Sequence, residues 1–239
     1  MCFHYTLTLE RTEVALQLHA DWDDDFEPVF HADGFAHPPM PVITMEEPGK
    51  IQLFHWGLIP SWVKSKEDAD KLSNQTLNAR AETIFEKPSF RNSISNQCCL
   101  VIADGFFEWM DFQKKKYPHH IFIGDHELFC FAGIYSHWTD KETGEHISSF
   151  SIISTDANPM MERIHNLKKR MPVIIPKNRY HDWLKKGLSK EEIKSFLNPF
   201  PDIEMKNHTI SKLITSRSQS SNVPEVIEEF IYPELQLLL

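Results

Sequence analysis

The sequence predicts an α+β fold of mostly antiparallel β-sheets, able to close as a barrel-like core, with peripheral helices. Many short segments alternate apolar and polar residues with a period of two, which is typical of half-buried strands. Links of hairpin length join most of these segments, and the regular strand–helix alternation of a doubly wound sheet is missing. Neither repeats nor a clear linker divide the chain, so we expect one domain over residues 1–239.

For one strand and two helices, the sequence itself indicates where the element begins. Residues 3–9 alternate apolar and polar side chains, which predicts a strand that begins almost at the first residue. Asn158 followed by Pro159 predicts a helix start, because asparagine caps a first turn and proline fits its first position. The spacing Ser189-x-x-Glu192 predicts a capping box at the start of another helix.

The remaining elements follow from shorter patterns. Residues 21–41 concentrate acids and prolines, so we expect a loop there. Further helices are expected at 12–20, 78–85 and 176–188, and further strands at 51–56, 98–103, 106–110, 121–123, 127–138, 147–154, 171–175 and 207–214.

Net charge limits the partners that the protein can have. The 25 basic and 34 acidic side chains give a formal charge of −9, which excludes a generally basic nucleic-acid coat and leaves room only for a local basic patch. No apolar run approaches the ~20 residues that span a bilayer. The first residues lack a basic segment followed by an apolar core, so we expect no signal peptide, no membrane partner and a cytoplasmic location.

Cysteine and histidine usage predicts neither disulfides nor a metal. The chain has four cysteines, which are too few for a disulfide framework at this length. Its 13 histidines are scattered without the spacings that are typical of metal sites. We therefore expect reduced thiols and no metal ion or organic cofactor.

Cys2 is the first candidate for chemistry. Removal of Met1 would leave an N-terminal cysteine, which carries an amine and a thiol on neighbouring carbons. An α-amine has a pKa of about 7.7, so much of it is neutral and able to attack an aldehyde near pH 7. The thiol could then close a thiazolidine ring, or a thiolate could act alone in acyl transfer. The competing interpretation is a buried small residue in an edge strand.

Three further motifs contain groups that could bind or react, and each has a structural alternative. Trp56-Gly57-Leu58-Ile59-Pro60-Ser61-Trp62 places Trp62 on a loop, where it could stack on bases or pack in the core. In Asn78-Ala79-Arg80-Ala81-Glu82, the amide could orient a reacting group and Arg80 could hold a phosphate, or the motif could be a cap with a surface ion pair.

The third motif, Asp104-Gly105-Phe106-Phe107-Glu108-Trp109, places an acid within an aromatic strand. Desolvation there would raise the pKa of Glu108 and suit it to proton transfer, unless it faces solvent. Further along, His165 is followed by the cations Lys168, Lys169 and Arg170, which could bind phosphate or simply suit a helix end.

Taken in order, these segments resemble the SOS response-associated peptidase (SRAP) family, the abasic-site processing proteins. The resemblance rests on Met1-Cys2, the three motifs above, and His165 followed by Arg170-Met171-Pro172, and it covers most of residues 1–175. It implies a single α+β domain with a barrel-like core. It also implies that Met1 is removed and that Cys2 then forms a covalent thiazolidine with the ring-opened sugar of an abasic site in single-stranded DNA.

The resemblance also implies roles for individual residues. Cys2 would be the nucleophile, Asn78 would position its amine, Glu108 would move protons, and His165 would bind and protonate the sugar oxygen. Self-processing peptidase and lyase activities are implied as well.

Four more residues would bind the DNA itself. Arg80 and Arg170 would hold phosphates, and Trp62 and Trp109 would flank the DNA channel. We expect a monomer that is nucleoid-associated when bound to DNA.

The chain differs from the family pattern at three places. His4 replaces an arginine, Ala36-His37-Pro38-Pro39 replaces Asn-Val-Ala-Pro, and four residues rather than one separate His165 from Arg170. Two competing hypotheses remain open. One is a cysteine peptidase or amidase with Cys2 as thiolate and His165 as base. The other is a non-catalytic nucleic-acid reader that uses Trp62, Arg80 and Arg170.

Overall fold

The computed structural model describes residues 2–238 of the chain, with side chains through residue 235. Within these residues it contains thirteen strands. They are β1 His4–Leu7, β2 Val29–Asp33, β3 Pro39–Thr44, β4 Ile51–Trp56, β5 Asn78–Arg80, β6 Cys98–Ala103, β7 Gly105–Phe112, β8 Lys115–Ile123, β9 Phe129–Thr139, β10 His146–Asp156, β11 Arg170–Pro172, β12 Ile174–Ile175 and β13 Met205–Thr209.

The helices are short and lie between the strands. They are α1 Arg11–Leu18, α2 Lys66–Ser73, α3 Ser93–Asn96, α4 Pro159–Ile164, α5 Tyr180–Trp183 and α6 Lys190–Lys194. Single 3₁₀ turns occupy Gly34–Ala36, Lys177–Arg179, Asp202–Glu204, Lys212–Thr215, Pro224–Ile227 and Pro233–Leu238. No helix in the described part of the chain is long and apolar enough to cross a membrane.

The larger sheet closes on itself. Its path runs β11-β10-β4-β3-β6-β9-β12, and β10 also pairs with β9 over the seven registers from His146↔Thr139 to Ile152↔Gly133. That extra pairing joins β10, β4, β3, β6 and β9 into a five-stranded barrel whose pairs are antiparallel except β4–β10. The predicted α+β fold with a barrel-like core is confirmed. Within the barrel, β6 pairs with β3 on one side and β9 on the other, and it is buried along its whole length.

A second antiparallel sheet, in the order β13-β8-β7-β1-β2, packs beside the barrel. Asp104, at the turn between β6 and β7, ties the two sheets together. Its carboxylate accepts hydrogen bonds from the hydroxyl of Thr6 at 2.6 Å and from both the amide and the hydroxyl of Thr8, at 2.5 and 2.6 Å. This clamp fixes β1, and with it the residues that begin the chain.

The strand expected at 207–214 ends at Thr209, because a 3₁₀ turn covers Lys212–Thr215. Two further expectations about local structure are wrong. Residues 78–85 do not form a helix, because Asn78–Arg80 pairs in parallel with Ile152, Ile153 and Ser154 of β10 and turns follow. Residues 21–41 are not a continuous loop, because β2 and the start of β3 lie there. In both cases an available strand edge outweighs local propensity.

Candidate active site

The structure brings together four predicted site residues from four different elements. Cys2 precedes β1, Asn78 begins β5, Glu108 lies in β7, and His165 ends α4 as its C-cap. All four are buried, with exposed fractions of 0, 8, 4 and 8% in that order. The Asn78 side-chain amide donates to the Cys2 carbonyl oxygen at 2.8 Å, and His165 Nδ1 lies 3.6 Å from Glu108 Oε1.

Asn78 begins β5, which pairs with the larger sheet, and its side chain contacts Cys2, which precedes β1 of the second sheet. Its Nδ2 holds the Cys2 carbonyl, while its Oδ1 is buried and has no hydrogen-bond partner among the described residues. A buried amide oxygen that is left unsatisfied costs free energy, so sites of this kind are usually completed by a donor. The side chain is therefore oriented to accept a hydrogen bond close to the backbone of Cys2.

The Cys2 thiol is held in its neutral form. Its Sγ donates to the His4 carbonyl oxygen at 3.5 Å, and the side chain is fully buried. Burial raises the pKa of the thiol far above its usual value, and the negative charge of Glu108 raises it further. Glu108 is therefore within electrostatic reach of the thiol.

Glu108 has the properties of a proton carrier. Burial in the aromatic strand raises the pKa of its carboxyl group from 4.5 to about 7, against the opposing positive charge of Lys168. Both protonation states are therefore populated near neutral pH, which is what general acid–base catalysis requires. Of the two interpretations left open for Glu108, the structure has the buried one rather than the solvent-facing one.

His165 is a neutral imidazole with a defined tautomer. Burial lowers its pKa to about 4. Its Nδ1 lies 2.9 Å from the Arg170 carbonyl oxygen, and because a carbonyl only accepts, Nδ1 carries the proton. Nε2 therefore carries the lone pair, and the ring can accept a hydrogen bond from a hydroxyl group.

Arg170 is buried in an ion-pair network. Its guanidinium contacts both carboxylate oxygens of Glu82, Asp156 Oδ1 at 3.1 Å, and the carbonyl oxygen of Ser154 at 2.8 Å. Only 8% of the residue is exposed. Phosphate binding by Arg170 stays a prediction. Its backbone carbonyl oxygen is the group that His165 Nδ1 contacts.

The other predicted DNA contacts lie nearer the surface. Arg80 is exposed at the end of β5, two residues after Asn78. Trp62 is 51% exposed and donates weakly from its indole nitrogen to the Pro88 carbonyl oxygen at 3.4 Å. Trp109 is half-buried, with its ring edge-on to His4 at a centroid distance of 5.1 Å. Their DNA-binding roles stay predictions.

Two departures from the family pattern are accommodated by histidine contacts. His37 Nδ1 donates to the Trp56 carbonyl oxygen at 2.7 Å, and its ring packs so closely on Gly57 that an added Cβ would lie 2.6 Å from it. Gly57 also has a φ of +120°, which only glycine adopts readily. His4 hydrogen-bonds His31 through ring nitrogens 2.8 Å apart, and His31 in turn contacts the hydroxyl of Ser221 at 2.7 Å.

Several of these supporting contacts were not predicted from the sequence. The clamp formed by Asp104, the pairing of Glu82 and Asp156 with Arg170, and the His4–His31 pair all join residues far apart in the chain. Only the motif Asn78-Ala79-Arg80-Ala81-Glu82 gave a sequence signal for any of these contacts, because it contains the carboxylate of Glu82 close to the candidate site residue Asn78.

No group of three or more His, Cys, Asp or Glu side chains within residues 2–238 could hold a metal ion. The arrangement instead offers organic functional groups. They are the backbone-held Cys2, the Asn78 amide, the Glu108 carboxyl group, whose pKa is about 7, and the neutral imidazole of His165.

The protein is thus one in which Cys2, the second residue of the chain, is buried and held by Asn78 beside the barrel. A family model described as SOS response associated peptidase (SRAP) matches residues 1–217, and the chain belongs to this family. The predicted resemblance is confirmed.

The curated relatives cover from three quarters to nearly all of the chain. The abasic site processing protein YoqW of Bacillus subtilis (strain 168) is 34% identical over 235 residues, covering 95% of this chain and 99% of its own. The abasic site processing protein YoaM of the same organism is 31% identical over 229 residues, covering 92% and 96%. HMCES of Xenopus tropicalis, also named an abasic site processing protein, is 28% identical over 201 residues, covering 76% of this chain and 58% of its own.

Solved structures share the fold. A crystal structure of a protein from Bacteroides thetaiotaomicron superimposes with a TM-score of 0.91 at 39% identity, covering 96% of this chain and 100% of that one. A protein from Bordetella bronchiseptica gives a TM-score of 0.77 at 24% identity, covering 88% and 100%, which shows the fold alone.

Proposed function

We propose that this protein processes abasic sites in DNA by covalent capture. After removal of Met1, the N-terminal Cys2 would join the ring-opened sugar of an abasic site in single-stranded DNA as a thiazolidine. The names of the relatives support the substrate. The observation that carries the mechanism is the hydrogen bond from Asn78 to the Cys2 carbonyl oxygen at 2.8 Å, because it fixes the start of the chain beside Glu108 and His165.

Formation of the thiazolidine needs no oxidant or reductant. The Cys2 amine attacks the aldehyde carbon C1′, and loss of one water gives a Schiff base. The thiol then adds across the C=N bond, so that sulfur bonds to C1′ and the thiol proton moves to nitrogen. One water is released overall, and no metal or organic cofactor takes part.

The site's own groups suit each step. The Oδ1 of Asn78, which lacks a partner among the described residues, would accept a hydrogen bond from the newly formed amine. Protonated Glu108 would donate the proton that the departing water needs, since its pKa of about 7 makes both forms available. His165 would accept a hydrogen bond from a sugar hydroxyl through Nε2. Its pKa of about 4 favours Glu108 over His165 as the proton donor.

The same electrostatics argue against a general cysteine peptidase. That activity needs a thiolate, which is usually stabilised by a neighbouring imidazolium or other cation. Here burial and Glu108 raise the pKa of the Cys2 thiol, and His165 is neutral at pH 7. An aldehyde-trapping amine that works with a neutral thiol fits these pKa values better. Self-removal of Met1 and strand cleavage by β-elimination are further proposals on the same site.

A crosslinking assay tests the proposal directly. We expect the purified protein to shift single-stranded abasic DNA on a denaturing gel, to have lost Met1 by intact mass, and to require an intact aldehyde. The Cys2→Ala variant should give no band, and Cys98→Ala, at a buried thiol in β6, should match the wild type. An equal band from Cys2→Ala, or active protein that retains Met1, would contradict the mechanism.

Reversible binding alone is the remaining candidate function. A reader that uses Trp62, Arg80 and Arg170 would bind intact and abasic strands alike, and no denaturation-resistant band would form. Reduction of the aldehyde with borohydride before mixing separates the two candidates, because it abolishes capture and leaves reversible binding unchanged.

A further inference from the structure

The four residues between His165 and Arg170 form an ordered loop at the edge of the site. The backbone amides of Lys168 and Lys169 both donate to the His165 carbonyl oxygen, at 3.2 and 2.8 Å. Lys169 adopts a left-handed conformation with φ +49°, and its carbonyl oxygen accepts from the Ala157 amide at 3.1 Å. The loop is therefore fixed to the end of α4 that carries the catalytic imidazole.

Asn166 anchors the same loop to the backbone of Asp111. Its side-chain oxygen accepts from the Asp111 amide at 3.1 Å, and its side-chain nitrogen donates to the Asp111 carbonyl oxygen at 2.7 Å. Asp111 lies in β7, three residues beyond Glu108. This two-point contact ties the loop to the strand of the catalytic carboxylate, so residues 166–169 have a defined position relative to both acid–base groups.

Two side chains of the loop, Leu167 and Lys168, are exposed to solvent. Leu167 is 68% exposed, although a leucine gains free energy only when it is covered. Lys168 is also exposed, and no carboxylate among the described residues forms an ion pair with it, whereas Lys169 pairs with Glu162 at 3.7 Å. Burial dominates the pKa values of Glu108 and His165, but the positive charge of Lys168 also lowers both. Lys168 therefore lies within electrostatic reach of the reacting groups.

We propose that residues 166–169 form a DNA-contacting loop in which Lys168 binds the backbone phosphate beside the reacting sugar and Leu167 packs against a neighbouring base. This inference rests on the proposed function. A nucleic-acid strand offers an anion and an apolar ring face one nucleotide apart, which matches an unpaired ammonium group next to an exposed leucine. The exposed Lys168 is more accessible to a phosphate than the buried, carboxylate-paired Arg170 is.

The reversible affinity for DNA, measured in a variant that cannot crosslink, tests the loop separately from the covalent step. In a Cys2→Ala background, fluorescence anisotropy with single-stranded DNA that carries a stable tetrahydrofuran abasic analogue reports affinity alone. Lys168→Gln should weaken binding severalfold at low salt and reduce the slope of log K against log salt by about 0.7, the value for one phosphate contact on a single strand. The matched control is Lys194→Gln, at an exposed lysine of α6.

Leu167→Ser should weaken binding by about fivefold through the lost apolar contact. The loss should vanish with an oligonucleotide whose abasic analogue is flanked by two more abasic positions, because no neighbouring base remains. Leu16→Ser, at a leucine of α1 that is 74% exposed, is the matched control.

The possible outcomes separate the two proposals. Loop variants that bind as tightly as their controls would overturn the DNA-contacting loop, even if the wild type crosslinks abasic DNA. Conversely, a wild type that fails to crosslink while Lys168→Gln and Leu167→Ser weaken binding would overturn covalent capture and leave the loop standing. If Leu167→Ser weakens binding equally with and without neighbouring bases, the base contact is wrong.

Discussion

Glu108 is the residue whose protonation should set the pH dependence of capture. Its pKa of about 7 keeps the carboxyl group protonated below neutrality, and an α-amine with a pKa of about 7.7 becomes nucleophilic above it. The crosslinking rate should therefore pass through a maximum between the two values. It should fall at higher pH as Glu108 loses its proton, and at lower pH as the amine gains one.

Substitution of Glu108 tests this assignment. We expect Glu108→Gln to slow crosslinking by about a hundredfold, within the range for loss of a general acid, and to remove the fall on the alkaline side. The measurement is single-turnover crosslinking between pH 5 and 9. Glu86→Gln, at an exposed glutamate in the turns after β5, should keep both the rate and the profile. An unchanged alkaline limb in Glu108→Gln would mean that another group donates the proton.

Arg170 contacts His165 through its backbone carbonyl oxygen. Its side chain is locked by Glu82, Asp156 and Ser154, while its carbonyl oxygen fixes the His165 tautomer. We expect Arg170→Lys to lower the free energy of unfolding by about 2–3 kcal/mol, because one ammonium group cannot satisfy a bidentate carboxylate pair in a buried setting. Denaturant unfolding measures the loss, and Arg91→Lys, at an exposed arginine, is the control.

The crosslinking rate distinguishes positioning from phosphate binding by the same residue. If Arg170 only positions His165, Arg170→Lys should slow crosslinking while its reversible DNA affinity and salt slope, measured in a Cys2→Ala background, stay at the parent values. A reduced salt slope would instead restore Arg170 as a phosphate ligand.

At the scale of elements, α4 is the helix that carries His165 into the site. Asn158 caps it, since its side-chain oxygen accepts from the Met161 amide at 2.8 Å and its nitrogen donates to the Phe200 carbonyl oxygen at 2.8 Å. Asn158→Ala should lower the free energy of unfolding by about 2 kcal/mol through the lost cap and the unsatisfied carbonyl. It should also slow crosslinking, because His165 is the C-cap of this six-residue helix.

A second capped helix provides the control for that prediction. Ser189 forms a capping box with Glu192 at the start of α6, outside the candidate site. Ser189→Ala should cost about 1 kcal/mol of stability and leave the crosslinking rate unchanged. Equal effects of Asn158→Ala and Ser189→Ala on the rate would show that α4 does not position His165.

At the scale of the whole molecule, the charge of −9 limits how DNA can be held. A covalent bond supplies the lifetime of the complex, so capture needs less electrostatic affinity than reversible binding does. Arg80 and Lys168 are exposed cations near the site, in a chain whose 34 acidic side chains outnumber its 25 basic ones. We expect weak binding to intact duplex DNA.

The salt dependence of binding measures how many cations take part. With two or three phosphate contacts, log K for single-stranded DNA should fall against log salt with a slope of about −1.4 to −2.1. Anisotropy titrations of Cys2→Ala between 50 and 300 mM salt provide the value. A slope steeper than about −4 would contradict the idea that few local cations suffice.

Local patterns in the sequence predicted much of the architecture. The strands at β6, β7, β9 and β10, the Asn158 cap and the Ser189 capping box all depend on neighbouring residues, and the structure has them. The segment that begins with Asn78 was predicted as a helix because its residues are good helix formers. It is a strand because β10 offers an edge for pairing. Pairing partners lie far away in the chain, so local propensity cannot reveal them.

The sequence by itself determined the α+β class, the family and the residue types of the candidate site, since these follow from hydrophobic periodicity and ordered motifs. Only the tertiary structure decided the surroundings of those residues. Burial raised the pKa of Glu108 to about 7 and lowered that of His165 to about 4, and paired carboxylates enclosed Arg170. Desolvation and ion pairing depend on what surrounds a side chain in space. The folded chain therefore had to bring four distant elements together before the chemistry of the site was defined.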